Sequence, residues 1–186
     1  MPKPIRFESE LNNPSQHAGE FREVDAETFI KLRENSKFTE FLTPYTAREM
    51  DGWKHFMTDD GVGFTLTDKM DMIGGINNSG RKGARVDAII EAIARGGKTL
   101  DSIDGFLSQH YKDFGFVEKK RMAWDDRRAP KGWSYGKYGR PVVVFFEYPE
   151  GLSRDREDVR RRFEAATSGK SGCGRQDTGP CGSGDS

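Results

Sequence analysis

The clearest periodicity in the chain lies between Ala84 and Ala94, where Val86, Ile89, Ile90 and Ile93 recur at i, i+3, i+4 and i+7. That spacing lays one apolar stripe along a helix. Gly96-Gly97 follows at once and suits the left-handed stop of such a helix. Lys98 to Ile103 then reads as a short strand. Asp104 is placed to cap a second helix, whose inner face holds Phe106, Leu107, His110, Tyr111 and Phe114. Phe116 to Trp124 reads as a strand. Asp125 to Arg140 is a polar loop with Pro130, Gly132, Gly136 and Gly139. Pro141 to Tyr148 is apolar almost throughout, the pattern of a strand buried on both faces.

Upstream the pattern is less regular. Asp25 predicts the cap of a short helix with Phe29, Ile30 and Leu32 on its apolar side. Thr46-Ala47-Arg48-Glu49 has the spacing of a capping box and predicts a helix carrying Met50, Trp53, Phe56 and Met57 on one side. Gly63 to Thr67 alternates, Asp68-Lys69 turns, and Met70 to Ile76 returns, which together predict a β-hairpin. Near the other end Ser153 is the expected cap of a last helix. Its acids, Asp155, Glu157 and Asp158, precede Arg160, Arg161 and Arg162, an order that suits the helix dipole. Only Leu152, Val159, Phe163 and Ala166 face inward there, so this helix is expected on the surface. The organisation read from these patterns is a polar arm over residues 1–20, one domain over 21–166, and a Gly/Ser-rich tail over 167–186 expected to be disordered. The fold class is α/β (α+β), a mixed central sheet with helices on both faces.

Composition narrows the picture. In 186 residues, 30 basic and 30 acidic side chains cancel, which argues against a general nucleic-acid coat but leaves room for a local basic face. With 34% hydrophobic and 32% charged residues the core must be economical, and 13 Phe and 3 Trp supply much of its area. No run of 18 apolar residues exists, so no membrane span is expected. Both cysteines, Cys173 and Cys181, lie in the tail, and the start of the chain lacks the apolar core of a signal peptide. A reducing, cytoplasmic location is the expectation.

The chemistry concentrates between Gly80 and Phe116. Gly80-Arg81-Lys82-Gly83-Ala84-Arg85 is a basic, glycine-containing turn opening a helix, and such a turn grips phosphate through free backbone N–H groups and the helix dipole. A solvated basic turn has the same sequence. Tyr111 is the candidate catalytic group, or else a packed ring beside Phe114. His110 reads as half-exposed. Lys119-Lys120-Arg121 and Arg127 to Arg140, interleaved with Trp124, Trp133, Tyr135 and Tyr138, fit a substrate mouth, a site for single-stranded nucleic acid, or a solvated loop. The Asp59-Asp60 and Asp125-Asp126 pairs lack a histidine at metal-ligand spacing, so no metal is assigned.

Residues 80–125 resemble the central part of the GCN5-related N-acetyltransferase superfamily. Ala88-Ile89-Ile90-Glu91-Ala92-Ile93 is similar to the family helix, Gly96-Gly97-Lys98-Thr99-Leu100 to its exit, and Tyr111-Lys112-Asp113-Phe114-Gly115-Phe116 to the family's Tyr-x-x-x-Gly-Phe. The family turn reads Gln/Arg-x-x-Gly-x-Gly/Ala. One frame starts at Arg81 and puts Ala84 and Val86 at the small positions. Another starts at Gly80, with Gly83 fourth and Arg85 sixth. Asp104 stands where the family often has Asn, and the strand count before the turn is one short. The resemblance implies an acyl-CoA N-acyltransferase-like fold and transfer of an acetyl group from acetyl-CoA, as co-substrate, to a small-molecule or protein amine. It implies that Arg81, Lys82, Gly83, Ala84 and Arg85 hold the pyrophosphate and that Tyr111 protonates the departing thiolate. Backbone N–H groups near the end of Met70–Ile76 would steady the oxyanion, with Glu118 or water as base. A non-catalytic binding or assembly protein of the same fold and a nucleic-acid-binding module are the alternatives.

Overall fold

The structure, a computed structural model, describes residues 19–37, 42 and 44–171. The arm expected over 1–20 falls almost wholly outside these residues, as do Cys173 and Cys181. Among the described residues are seven strands and five α-helices, in the order β1 (Arg22–Val24), α1 (Ala26–Glu34), β2 (Lys54–Met57), β3 (Val62–Leu66), β4 (Met72–Asn77), α2 (Ala84–Ala94), β5 (Thr99–Ile103), α3 (Phe106–Phe114), β6 (Val117–Met122), the single turn α4 (Tyr135–Tyr138), β7 (Val143–Glu147) and α5 (Arg156–Ser171). The fold is of the mixed α+β class. Among the described residues no helix is long and apolar enough to cross a membrane.

The strands form two antiparallel half-sheets, in the orders β1-β2-β3-β4 and β5-β7-β6. They meet at β4 and β5, which run parallel and share one isolated bridge, Asp71 to Thr99. Helix α2 is the crossover between these two strands and sits astride their junction. Its sequence carries two stripes. Ala84, Ala88 and Ala92 lie at i, i+4 and i+8 and pack with Phe56, Phe64 and Leu66 of the first half-sheet. Val86, Ile89, Ile90 and Ile93 pack with Leu100, Val144 and Phe146 of the second. A helix with two apolar sides is buried, and small alanines let it approach the sheet closely. The other face of the first half-sheet is covered by α1, where Phe29 and Leu32 meet Ile76.

Helices α3 and α5 complete the second core. Phe114 of α3 stacks on Phe163 of α5 at 4.2 Å between centroids. Burying side chains of this size contributes about 1.5–3 kcal/mol each. Val159 and Phe163, expected to face inward, are buried in this core, and α5 packs against α2 and α3.

Several sequence expectations need correction. The capping box at Thr46 forms, with Thr46 N–H donating to Glu49 at 2.7 Å and Glu49 N–H to Thr46 Oγ1 at 3.2 Å. It closes one turn only, and Phe56 and Met57 belong to strand β2. The N-cap of α3 is Gly105, not Asp104; Gly105 N–H donates to Ser108 Oγ at 3.0 Å while Asp104 pairs with Arg121. The side chain of Phe106 lies outside the described ones. Helix α5 is capped by Asp155, whose Oδ1 accepts from Glu157 N–H and Asp158 N–H, and it runs on to Ser171, past the boundary expected at 166. Strand β7 buries Val144 and Phe146 on one face and only half-buries the other. The 125–140 segment is tied down. Trp133 is buried, stacks on Trp124 at 4.5 Å and donates to the Gly139 carbonyl at 3.0 Å.

Candidate functional site at the split between β4 and β5

The turn from β4 into α2 is built by Asn77. Its Nδ2 donates to the Arg81 carbonyl at 2.9 Å, and its Oδ1 accepts from the Ser79 N–H at 3.1 Å and hydroxyl at 2.5 Å. Asn78 fixes the turn to the body of the fold, donating through Nδ2 to the Leu32 carbonyl and through N–H to the Gly61 carbonyl, each at 2.9 Å. Gly80 and Gly83 adopt φ of 72° and 78°, left-handed conformations that cost other residues strain. Gly83 is the N-cap of α2 and supplies no side-chain acceptor to the first-turn N–H groups. Those groups have no intrahelical partner, and with the dipole they make a place for an anion. A Cβ at Gly80 would meet open space, so the turn is accessible on that side.

The predicted turn residues share this segment, but their side chains take different directions. Arg81 is held by Asp60, Nη2 to Oδ1 at 2.9 Å, and this pairing keeps the Asp60 carboxyl below the usual carboxylate range. Lys82 is exposed. Gly83 and Ala84 are buried, Ala84 against the first half-sheet. Arg85 reaches back into the split and donates to the Gly75 carbonyl at 3.0 Å. Val86 faces the core, and the helix starts at Ala84 directly after its N-cap Gly83.

The split itself follows from backbone register. Gly63 pairs with Ile76 and Thr65 with Ile73, so Gly74 and Gly75 together lie opposite Phe64. That is a β-bulge on β4, and a bulge leaves a backbone group outside the ladder. On its other edge β4 meets β5 only at the Asp71–Thr99 bridge, among the described residues. The Thr99 hydroxyl donates to the Asp71 carboxylate there, and Lys98 N–H donates to the Met70 carbonyl at 2.8 Å. Beyond this pin the strands part.

Tyr111 projects from α3 beside the split. Its ring meets Phe116 edge-on at 6.1 Å and Phe146 at 5.9 Å; Phe114, the neighbour expected from sequence, turns instead to Phe163. Burial pushes the Tyr111 hydroxyl up, the Arg85 cation pulls it down and the Asp101 carboxylate pushes it up. A phenol raised in this way holds its proton at neutral pH and can only donate it. Arg85 and Asp101 were not read from sequence as partners of Tyr111. Alternation on β5 turns Asp101 away from the core, but nothing local in the chain signals its nearness to Tyr111.

The remaining candidates are placed differently. His110 is buried rather than half-exposed, 3.7 Å from Asp113 and tilted against Phe163. Glu118 is paired with Arg121 and with Lys112, which hold it below the usual carboxylate range, so it is a poor proton acceptor. Asp59 pairs with Arg22, Asp125 with Arg127, and Asp126 with Arg140. Tyr135 donates to Asp126 at 2.8 Å beneath Arg140, and the tryptophans stack on each other. A cavity of about 420 Å³ lies outside the split, between Phe21, α2 and α5. Five of its charged groups are engaged with one another, Asp87 with Arg160 and Glu91 with Arg95 and Arg156. Comparison with protein-family models, with curated proteins and with solved structures finds no match to this chain.

Proposed function

We propose that this protein transfers an acetyl group from acetyl-CoA to an amine. The observation that carries the reading is the β4–β5 split: a parallel pair pinned at one end, bulged at Gly74–Gly75, and followed directly by an open glycine turn at a helix N-terminus. An acyl-CoA is a long ligand whose parts suit these features in order. Its diphosphate matches the α2 N-terminus with Lys82 beside it. Its amide-bearing arm can pair with the edge of β4 that β5 leaves. Its thioester carbonyl then lies near the bulge, where a backbone N–H can steady the oxyanion. Tyr111 supplies the proton that the departing sulfur needs.

The second reading is a non-catalytic protein of the same architecture. What favours it is Arg85, whose guanidinium lies across the split on Gly75, and Arg81, already engaged by Asp60. One titration separates the two. Acetyl-CoA at a hundred times its Kd stabilises a protein by about 2.7 kcal/mol, which in a domain of this size raises the melting temperature by several degrees. The acyl-transfer reading expects that rise, together with thiol release when primary amines are added. A rise without thiol release favours the non-catalytic protein. No rise at any concentration overturns acetyl-CoA as the ligand.

A further inference from the structure

Asp101 lies on β5 two residues beyond the Asp71–Thr99 bridge, where β4 and β5 separate. Leu100 points into the core formed with α2 and α3, so alternation along the strand turns Asp101, like Thr99, to the opposite face. Tyr111 occupies the core side, against Phe116 and Phe146. The split is thus flanked by a hydroxyl from one face and a carboxylate from the other, and the Asp101 charge is felt at the Tyr111 hydroxyl. Asp60, Asp104 and Glu118 are each locked to an arginine. Asp101 is in no such pair among the described residues, and the Arg128 charge reaches it only from a distance.

We infer that Asp101 is the acceptor-side base: in the acyl transfer proposed above, on which this inference rests, its carboxylate takes the proton from the acceptor ammonium. An N–H bond of the ammonium breaks, the proton passes to Asp101, and the freed lone pair forms the N–C bond to the thioester carbonyl. As the C–S bond breaks, its electron pair goes to sulfur, which takes the Tyr111 proton. The second nitrogen proton leaves to solvent, and Tyr111 regains one from solvent. Proton donor and proton acceptor therefore work from opposite faces and do not neutralise each other.

The charges around Asp101 set its basicity. Asp101 is exposed, yet crowding by the surrounding chain pushes its carboxyl up, and Asp71 from the β3–β4 connection pushes it further. The backbone N–H of Asp101 itself and, after it, Arg128 from the β6–β7 connection oppose this. Tyr111 of α3 is neutral at working pH, and the charge of Arg85 from α2 acts on its hydroxyl. A carboxylate raised in this way is a better base near neutrality.

The test uses the full chain, acetyl-CoA and a panel of primary amines, with kcat/KM followed by thiol release from pH 5 to 10. Wild type is expected to lose activity as pH falls through the Asp101 titration. Asp101→Asn should lower kcat/KM at pH 7 by about 10²–10⁴-fold. That deficit should shrink toward pH 10, where an alkyl amine of ordinary pKa, about 10.4, sheds its own proton. Acetyl-CoA affinity by calorimetry and the melting temperature should stay at wild-type values. Asp71→Asn should move the acid limb to lower pH, because it removes a negative charge beside the base. A wild-type pH profile in Asp101→Asn, or the same deficit at every pH, overturns the inference. Should Asp101→Asn fail to fold, the limb in Asp71→Asn decides, and an unmoved limb overturns it. Wild-type protein that binds acetyl-CoA yet releases no thiol with any amine overturns the enzymatic reading itself, and Asp101 as base with it.

Discussion

At the scale of single residues, two titratable groups, the half-buried Tyr111 and the buried His55, lead to opposite expectations. Tyr111 keeps its proton because its surroundings are dry, and its hydroxyl is the only part that the proposed chemistry needs. Tyr111→Phe leaves the ring against Phe116 and Phe146, so the fold and acetyl-CoA affinity should hold while kcat falls by about 10²–10⁴-fold. Full activity in the Phe variant removes Tyr111 from the mechanism, and a large drop in melting temperature makes the hydroxyl structural. His55 is the second group. It is buried, stacked on Phe29 at 5.0 Å, with Nδ1 2.7 Å from Thr65 Oγ1 and no partner for Nε2 among the described residues. Burial, and then the Arg33 cation, lower its pKa in the fold; Glu23 and Asp25 oppose this. The unfolded chain, with His near pKa 6.5, therefore binds the proton more readily. The stability that His55 contributes is complete above about pH 6.5 and is lost as pH falls toward the folded value. Melting temperature should decline from pH 7 to pH 5, and His55→Gln should flatten that decline. An equal slope in the variant assigns it to other groups.

At the scale of elements, α2 was the most legible part of the chain and yet only half read. Its isoleucine stripe stands out because large aliphatic residues mark a face at helical spacing. The alanine stripe does not, because Ala is common in helices whichever way it points. Both are required, since the helix bridges two half-sheets. Ile93 is fully buried, and Ile93→Ala should cost about 2–5 kcal/mol in denaturant titration. Wild-type stability would mean that the core closes over the gap. Strand β2 was hidden for a related reason. A capping box at Thr46 is a local signal and was honoured locally, for one turn. Lys54 to Met57 is too short to show its own period, and its strand identity comes from pairing with β1 and β3. The basic turn and Tyr111 were legible because each rests on a local residue pattern. The bulge at Gly74–Gly75 and the approach of Arg85 and Asp101 to Tyr111 were not, because they arise only when β4 and β5 are set side by side.

At the scale of the whole molecule, the same junction that opens a site weakens the sheet. Two half-sheets joined by one bridge must be held together by what lies across them, and the helical layer does this. Besides the shared core, two polar clamps tie α2 to the chain around α5. Arg154 donates to the carbonyls of Ile93 and Gly97, each at 2.8 Å, beneath the Tyr148 ring. Arg160 meets Asp87 at 2.5 Å, with side chains only 17% and 8% exposed. The physics of such a pair is asymmetric. Two charges taken out of water lose about as much solvation as they regain in attraction, whereas one charge left alone has lost its solvation without return. Asp87→Ala should therefore cost about 3–5 kcal/mol, because it strands the Arg160 guanidinium between α2 and α5. The double change Asp87→Leu with Arg160→Met should cost much less than either single removal, since it replaces the pair with apolar groups of similar size. Urea unfolding of the wild type, Asp87→Leu, Arg160→Met and the double variant closes the cycle. If the double variant is as unstable as the sum of the singles, the pair is not a coupled clamp, and the two half-sheets are held by the shared aliphatic and aromatic core alone.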